Sequence, residues 1–148
     1  MTEYSEEPAH SDTDGTRTWL KDGIVHVEYT TRQNLASIVR SQERCLSILK
    51  ENNLAIAPVI LIYTGKARDG IDISITDLGK LINMNGVMKH ISRMWSVGAS
   101  EQHKRIGAFF NKFFVKGRFH FADSLEEAER QAAKFLAADS GILEPDTL

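Results

Sequence analysis

The feature that most constrains the fold is an uninterrupted apolar run, APVILIYT, at residues 57–64. It has the length of a β-strand and is rich in β-branched residues. A run without polar alternation is typical of a strand covered on both faces, which is usually a central strand with parallel neighbours. Parallel neighbours need crossover connections, most often helices. The run therefore predicts an α/β domain.

Two short strands and a turn are predicted before this run, at residues 17–30. The pair Asp22-Gly23 suits a type I′ turn, because both central residues of that turn need positive φ. Apolar and polar residues alternate along the second strand, which predicts one buried and one partly exposed face. The face expected to be buried comprises Val25, Val27 and Tyr29.

A helix is predicted at residues 31–53, where apolar residues recur at helical spacing. Thr31 is the expected N-cap, because its hydroxyl can accept a hydrogen bond from a backbone N–H of the first turn. The stripe expected to be buried comprises Leu35, Ile38, Val39, Leu46 and Leu49, with Gln42 inside it.

The remaining segments alternate between helix and strand patterns. They are a helix at 74–84, a strand at 90–99, a helix at 100–117, a strand at 118–122 and a helix at 123–139. The full order is ββαβαβαβα. This alternation implies a mostly parallel sheet with helices packed on it, to which the opening hairpin adds an antiparallel strand. The sequence therefore predicts a single α/β domain.

The two ends of the chain are acidic, although the net charge of the 148 residues is only −2. Residues 1–16 hold five acidic side chains and residues 139–148 hold three, without any Lys or Arg. Residues 17–138 hold the other 12 of the 20 acidic side chains and all 18 basic ones, a formal charge of about +6. We predict two disordered tails around one mildly basic domain. Because the basic residues are scattered, we expect a solvated surface rather than a nucleic-acid site.

Composition and leader patterns indicate the compartment. No apolar run reaches the roughly 18 residues of a transmembrane helix, and the opening residues lack the regions of a signal peptide. A single cysteine, Cys45, excludes an internal disulfide framework. These features predict a cytoplasmic protein without stable membrane association.

The sequence contains no motif for catalysis, metal or cofactor. The five histidines lack metal-ligand spacing, and glycine-rich phosphate loops and serine-hydrolase motifs are missing. His26 and His120 are expected on the less apolar faces of strands. An enzyme would need a convergent polar cluster that the sequence does not announce. We therefore expect no enzyme, no metal and no cofactor.

Residues 106–114 read IGAFFNKFF and hold four of the seven phenylalanines. At 100° per residue, Ile106 and the four rings fall within about 140° on a helical wheel. The simplest interpretation is a helix docked on the sheet. The same face could instead line an apolar pocket, form a dimer patch or rest on an anionic membrane surface.

A short helix is predicted to begin just after the central strand, in DISITDLGKL at 72–81. The start of a helix offers free N–H groups and the positive end of its dipole, so it tolerates a phosphate. Ser74 and Thr76 supply hydroxyls there. Simple N-capping accounts for both, but phosphorylation would change the charge of a binding surface. They are the candidate phospho-switch.

The order of elements resembles the STAS fold, and the chain resembles the small bacterial stand-alone proteins described as STAS/SEC14-like or SpoIIAA-like. Coverage is nearly all of residues 17–138. The segments that carry the resemblance are WLKDGIVHVEYT at 19–30, PVILIYTG at 58–65, RIGAFFNKFF at 105–114 and RFHFADSLEEAERQAAKFL at 118–136. The resemblance implies a SpoIIAA-like domain.

STAS regulators are switched by phosphorylation in an Asp-Ser-Ser/Thr-Gly motif at the start of the helix after the central strand. Matching Leu78-Gly79 to the Leu-Gly that often follows this motif places Thr76 at the phosphorylated hydroxyl. Ser74 then stands where the motif has Asp, and Asp77 where it has Gly. The related lipid-exchange fold implies an apolar ligand.

We expect a non-enzymatic module that acts by binding a protein partner, either a regulatory target or a second copy in a homodimer. The alternative is a carrier or sensor of a small apolar or lipid-like ligand, held in a pocket near the third helix. A partner site predicts an exposed, contiguous apolar patch, whereas a ligand site predicts an enclosed pocket. The residues expected to form either surface are Phe109, Phe110, Phe113, Phe114, Tyr63 and Trp95.

Overall fold

A computed structural model describes residues 10–11, 15–74, 76–77, 79–80, 87–113 and 118–139. The strands of these residues are β1 (His10–Ser11), β2 (Thr16–Lys21), β3 (Ile24–Tyr29), β4 (Ala57–Tyr63), β5 (Ile91–Val97) and β6 (Phe119–Ala122). The helices are α1 (Leu35–Glu51), α2 (Glu101–Phe113) and α3 (Leu125–Asp139), with 3-10 turns at Gly65–Asp69 and Val87–His90. No helix in these ranges is long and apolar enough to cross a membrane.

The strands form one sheet in which spatial order follows chain order. β1, β2 and β3 are antiparallel neighbours, whereas β3, β4, β5 and β6 are parallel. β4 has parallel neighbours on both sides and is buried along almost its whole length, as the APVILIYT run predicts. The predicted α/β class, with a mostly parallel sheet and an antiparallel hairpin strand, is confirmed.

The hairpin between β2 and β3 turns at Asp22 and Gly23, as predicted. Their φ angles of 56° and 78° are the left-handed values of a type I′ turn. The sheet extends further toward the amino terminus than the predicted domain boundary. Thr16 begins β2, and His10–Ser11, inside the predicted tail, pairs with β2. Most of the two predicted tails lies outside the described residues.

Helices cover both faces of the sheet, because successive side chains of a strand point to opposite sides. α1 and α2 pack on the face that includes Val59 and Met94, which we call the α1/α2 face. α3 packs on the opposite face, which includes Ile60 and Trp95. The contact face of α3 comprises Leu125, Ala128, Ala132, Phe135 and Leu136.

α1 begins later than the sequence predicts, and its predicted stripe is only partly right, because Ile38 and Leu49 are buried but Leu35 is not. Its N-cap is Asn34 rather than Thr31, and the Asn34 side chain accepts a hydrogen bond from the Ser37 N–H at 2.9 Å. Leu35 is 53% exposed. Ser37 and Ser41 are buried instead. Their hydroxyls donate to backbone carbonyls of the preceding turn, and their small side chains let α1 approach the sheet. The buried residues of α1 are Ser37, Ile38, Ser41, Cys45, Ile48 and Leu49.

The helix predicted at 74–84 lies largely outside the described residues. Helical backbone is found at 76–77 and 79–80. The Ser74 Oγ accepts a hydrogen bond from the Asp77 N–H at 3.1 Å. Ser74 therefore caps this turn, as the sequence predicts.

Candidate functional site

A cavity lies between α1, α2 and the face of the sheet that these helices cover. Its free volume is about 120 Å³, which is close to the roughly 150 Å³ of an apolar cavity known to bind benzene. Side chains from β3, β4, β5 and β6 form its floor, and side chains from both helices form its walls. The cavity therefore lies between two of the crossover helices and the sheet.

The body of the cavity is apolar. Val27, Val59 and Met94 form part of its floor, and Phe110 and Cys45 form part of its walls. Each of these side chains is at most 9% exposed. Burial raises the pKa of the Cys45 thiol to about 11, so this cysteine is an uncharged part of the wall. These surroundings suit an apolar group.

Polar side chains gather at one end of the cavity, near the carboxyl ends of the parallel strands. Tyr63 ends β4, Ser96 lies near the end of β5, and His103 lies in the first turn of α2. Gln33 comes from the loop after β3. Ligands of open α/β sheets bind at this edge, where the loops bring side chains of neighbouring strands together. We call Gln33, Tyr63, Ser96 and His103 the polar cluster.

Hydrogen bonds fix the tautomer of His103. Its Nδ1 accepts from the backbone N–H of Ser100 at 3.1 Å, which leaves the ring hydrogen on Nε2. Nε2 then donates to the Gln33 Oε1 at 3.1 Å. Burial, and after it the charge of Arg32, lowers the pKa of His103 from 6.5 to about 4. His103 is therefore neutral near pH 7.

Tyr63 is the centre of the polar cluster. Its ring stacks on His103, with centroids 4.1 Å apart, and on Tyr29 at 5.8 Å. Its hydroxyl interacts with the side chains of Ser96 and Gln33. Burial, followed by the nearby Tyr29, raises the pKa of Tyr63 far above its ordinary value, although the two hydrogen bonds act in the opposite direction. Tyr63 therefore keeps a neutral hydroxyl that can both donate and accept.

A second tyrosine, Tyr29, joins β3 to α1 through a hydrogen bond beside the cavity. The Ser41 hydroxyl donates to the Ile38 carbonyl at 2.9 Å. The Tyr29 hydroxyl lies 2.5 Å from the Ser41 Oγ and, because the Ser41 hydrogen is already used, Tyr29 is the donor. This bond keeps a buried serine satisfied in the cavity wall.

Hydrogen bonds hold the loop after β4 next to the polar cluster. The Gln102 amide donates to the Ile71 carbonyl at 3.1 Å and accepts from the Ile71 N–H at 3.0 Å. The Asp72 N–H donates to the Gln33 carbonyl at 2.7 Å, and the Asp72 carboxylate lies 2.8 Å from the Arg32 Nε. Ile71 is 5% exposed and lines the cavity. The loop is therefore held against this end of the cavity.

The cavity is electrically neutral. Its lining, taken over the described residues, contains no Lys, Arg, Asp or Glu. Two titratable members of its lining, His103 and Tyr63, are uncharged near pH 7. Arg32 is close enough to affect His103, but it is paired with Asp72. Because a buried charge without a partner is costly, such a space favours an uncharged ligand.

The aromatic helix contributes less to the cavity than predicted. Phe110 is 2% exposed and lines the cavity beside Ile106. Phe109 is partly exposed, and its ring meets Phe110 edge to face with centroids 5.9 Å apart. The side chains of Phe113 and Phe114 lie outside the described residues. The helix is thus docked through Phe110, as the simplest interpretation expects.

The other two predicted wall residues are separated by the sheet. Tyr63 lines the cavity. Trp95 does not, because it follows Met94 along β5 and therefore points to the α3 face. There its indole N–H donates to the Gln131 side chain at 2.9 Å. Trp95 is a core residue of the opposite layer.

The candidate phospho-switch residues lie outside the cavity. Ser74 and Thr76 are both exposed, and neither lines the cavity. They follow the loop at the polar end of the cavity, in which Ile71 is buried. Their relation to the cavity is therefore one of chain continuity rather than contact.

Three members of the polar cluster were not predicted from the sequence. The sequence indicates no metal-ligand spacing for His103, and it contains no motif that includes Gln33 or Ser96. A signal for Ser96 existed, because it lies two residues after Met94 and so shares its inward face. No neighbouring residues in the sequence identify Gln33 or His103 as site residues, because the two are partners of each other and lie far apart in the chain.

The α3 face holds a buried histidine where the sequence predicts a partly exposed one. His26 is 1% exposed, because α3 covers this face. Its Nδ1 lies 2.9 Å from the Ile24 carbonyl and its Nε2 lies 2.9 Å from the Glu129 carboxylate. This is a satisfied core histidine. Over the described parts of the chain, no three His, Cys, Asp or Glu side chains converge as a metal site.

Comparisons with known proteins add no assignment. No protein-family model matches the chain, and searches of curated proteins and of solved structures give no match.

Proposed function

We propose that this chain binds a small, largely apolar ligand in the cavity between α1 and α2, as a carrier or a sensor. One observation carries the proposal: a single cavity joins an apolar body to a polar cluster at the carboxyl ends of the strands. Ligand sites combine an apolar lining with a few placed polar groups in this way.

The distribution of exposed apolar side chains favours this proposal over binding of a protein partner. The large exposed ones in the described ranges are Leu35, Ile56 and Phe121. Leu35 starts α1 at the carboxyl edge of the sheet, and Ile56 precedes β4 at the amino edge. Phe121 lies in β6, at the edge of the sheet. These side chains come from three different elements, and two of them lie at opposite edges of the sheet, unlike the contiguous patch that a stable interface presents.

We also infer a STAS-type fold for the domain. Support comes from the antiparallel hairpin strand, the parallel strands that follow it and the capped turn after the central strand. The proposed ligand site does not depend on this inference, because it rests on the cavity itself.

The proposal is tested by native mass spectrometry of the protein purified from its own host, followed by solvent extraction. We expect extra mass that is released as a defined small molecule. The cavity-filling variant Val59→Phe should purify without it, because the larger ring occupies the space beside Met94. Val97→Phe makes the same change on the α3 face and should retain the ligand.

Two results would contradict the proposal. One is a clean protein mass for the wild type that stays clean after exposure to a host lipid and metabolite extract. The other is a bound molecule that Val59→Phe retains as fully as Val97→Phe does. Circular dichroism should first establish that both variants are folded.

A further inference from the structure

The class of ligand can be narrowed from the cavity, given the function proposed above. A free volume of about 120 Å³ is close to that of a cavity that holds one benzene molecule. The lining includes aromatic rings and two methionines, Met88 and Met94. Rings pack favourably edge to face against aromatic side chains and against thioether sulfur. Size and lining thus favour one six-membered ring over a long acyl chain.

The charge of the ligand follows from the lining. An anionic or cationic ligand would lose its hydration without gaining a counter-ion, since the described lining is uncharged. The nearby Arg32 would not act as the counter-ion, because its Nε already lies 2.8 Å from the carboxylate of Asp72. The cavity therefore selects an uncharged molecule.

The polar cluster supplies the remaining selectivity. Its internal contacts join His103 to Gln33 and Tyr63 to both Gln33 and Ser96. These contacts do not use every donor hydrogen of the cluster, because Gln33 carries two amide hydrogens and each hydroxyl carries one. Hydroxyl lone pairs also remain. A group that can accept and donate at once fits such a cluster best, and a hydroxyl is the smallest such group.

We infer that the ligand is an uncharged compound of one six-membered ring with a hydroxyl substituent, its ring over Val59 and Met94 and its hydroxyl at the polar cluster. Benzyl alcohol is the simplest probe of this class. Toluene lacks the hydroxyl, benzoate adds a charge, and 1-octanol replaces the ring by a chain.

Titration calorimetry of the full chain with these four probes tests the inference. We expect benzyl alcohol to bind about tenfold more tightly than toluene, the effect of one well-made hydrogen bond. Benzoate should not bind measurably. Ser96→Ala should remove the preference for benzyl alcohol over toluene.

Thr18→Val is the matched control for Ser96→Ala. Thr18 is fully buried on β2, and its hydroxyl has no hydrogen-bond partner among the described residues. It does not line the cavity. Its replacement removes a hydroxyl at constant shape and should leave all four affinities unchanged.

Failure of this inference is distinct from failure of the proposed function. Equal affinities for benzyl alcohol and toluene, or tighter binding of 1-octanol, would overturn the ligand class and leave an apolar ligand site in place. Binding of benzoate as tight as that of benzyl alcohol would overturn the neutral class. No binding of any probe would overturn the inference, and the host-purified mass spectrum would then decide the proposed function.

Discussion

The imidazole of His103 lies against the phenol ring of Tyr63, with ring centroids 4.1 Å apart and ring planes 27° from parallel. The contact joins the first turn of α2 to the last residue of β4. Both side chains are neutral near pH 7 and both interact with Gln33. The polar end of the cavity thus depends on elements that only tertiary packing brings together.

His103 should make the protein less stable as the solution is acidified. Its pKa is 6.5 in an ordinary setting and about 4 in the folded chain. Between these values the unfolded chain takes up a proton that the folded chain does not. The stabilising contribution is therefore complete above pH 6.5 and is lost as the pH falls toward 4. Unfolding free energies from denaturant titrations at pH 7 and pH 5 measure it.

The variant His103→Gln should lose part of this pH dependence, because glutamine does not titrate. His90→Gln is the control, since His90 lies outside the polar cluster on the 3-10 turn before β5. If the unfolding free energy falls equally between pH 7 and pH 5 in the wild type and in His103→Gln, His103 is not the source of the pH dependence.

Phe110→Ala should reduce the unfolding free energy by about 3–5 kcal/mol, the cost of deleting a buried aromatic ring. Phe110 is 2% exposed, packs with Ile38 and Ile71, and its centroid lies 5.9 Å from that of Phe119. Phe109→Ala should cost less, because that ring is partly exposed. Thermal or urea unfolding measures the loss for each variant. A fall in unfolding free energy of less than about 1 kcal/mol for Phe110→Ala would mean that its ring lies outside the core.

Gly98→Ala should be more damaging than Gly23→Ala, although their φ angles are 79° and 78°. Both substitutions place a side chain in the left-handed region, which costs about 1–2 kcal/mol. At Gly98 the new Cβ would also collide with the backbone carbonyl oxygen of Tyr63, whereas at Gly23 it meets only a Leu136 methyl at 3.4 Å. The difference between the two variants measures how closely Gly98 packs against the backbone of Tyr63. Equal unfolding free energies for the two variants would contradict this close packing.

Gln102→Ala should open the polar end of the cavity. It removes both hydrogen bonds that hold Ile71 and leaves a partly buried N–H without its partner. Cys45 reports the opening, because it is the single cysteine of the chain and it lines the cavity. We expect faster modification of Cys45 by methyl methanethiosulfonate.

Gln131→Ala is the matched control for Gln102→Ala. It removes a comparable amide bond, to Trp95, on the α3 face. The rate at Cys45 should stay near that of wild type in this variant. Equal acceleration by both substitutions would mean that Cys45 reports general loosening rather than opening of the loop.

Much of the sheet could be predicted from the sequence because its signals are local. The APVILIYT run is apolar throughout, since helices cover both faces of β4, and Asp22-Gly23 has the φ angles of a two-residue turn. The acid-rich start of α3 and its apolar stripe are equally local. Each of these features is set by residues close together in the chain.

The orientation of α1 and the cavity could not be predicted in the same way. Ser37 and Ser41 lie outside the predicted stripe, yet they can be buried because their hydroxyls bond to carbonyls of the preceding turn. The cavity depends on the spacing between α1 and α2, which no single segment encodes. Its polar cluster combines side chains from four separate segments, so spacing along the sequence does not reveal it.

Protection of Cys45 by a bound ligand tests the central claim most directly. The thiol is 3% exposed and lines the cavity, so a molecule bound there should block a small uncharged thiol reagent. We expect the rate of modification by methyl methanethiosulfonate to fall as benzyl alcohol is added, with a midpoint at the calorimetric Kd. Toluene should give weaker protection at the same concentration. An unchanged rate at saturating ligand would place the binding elsewhere and contradict the assignment of this cavity as the ligand site.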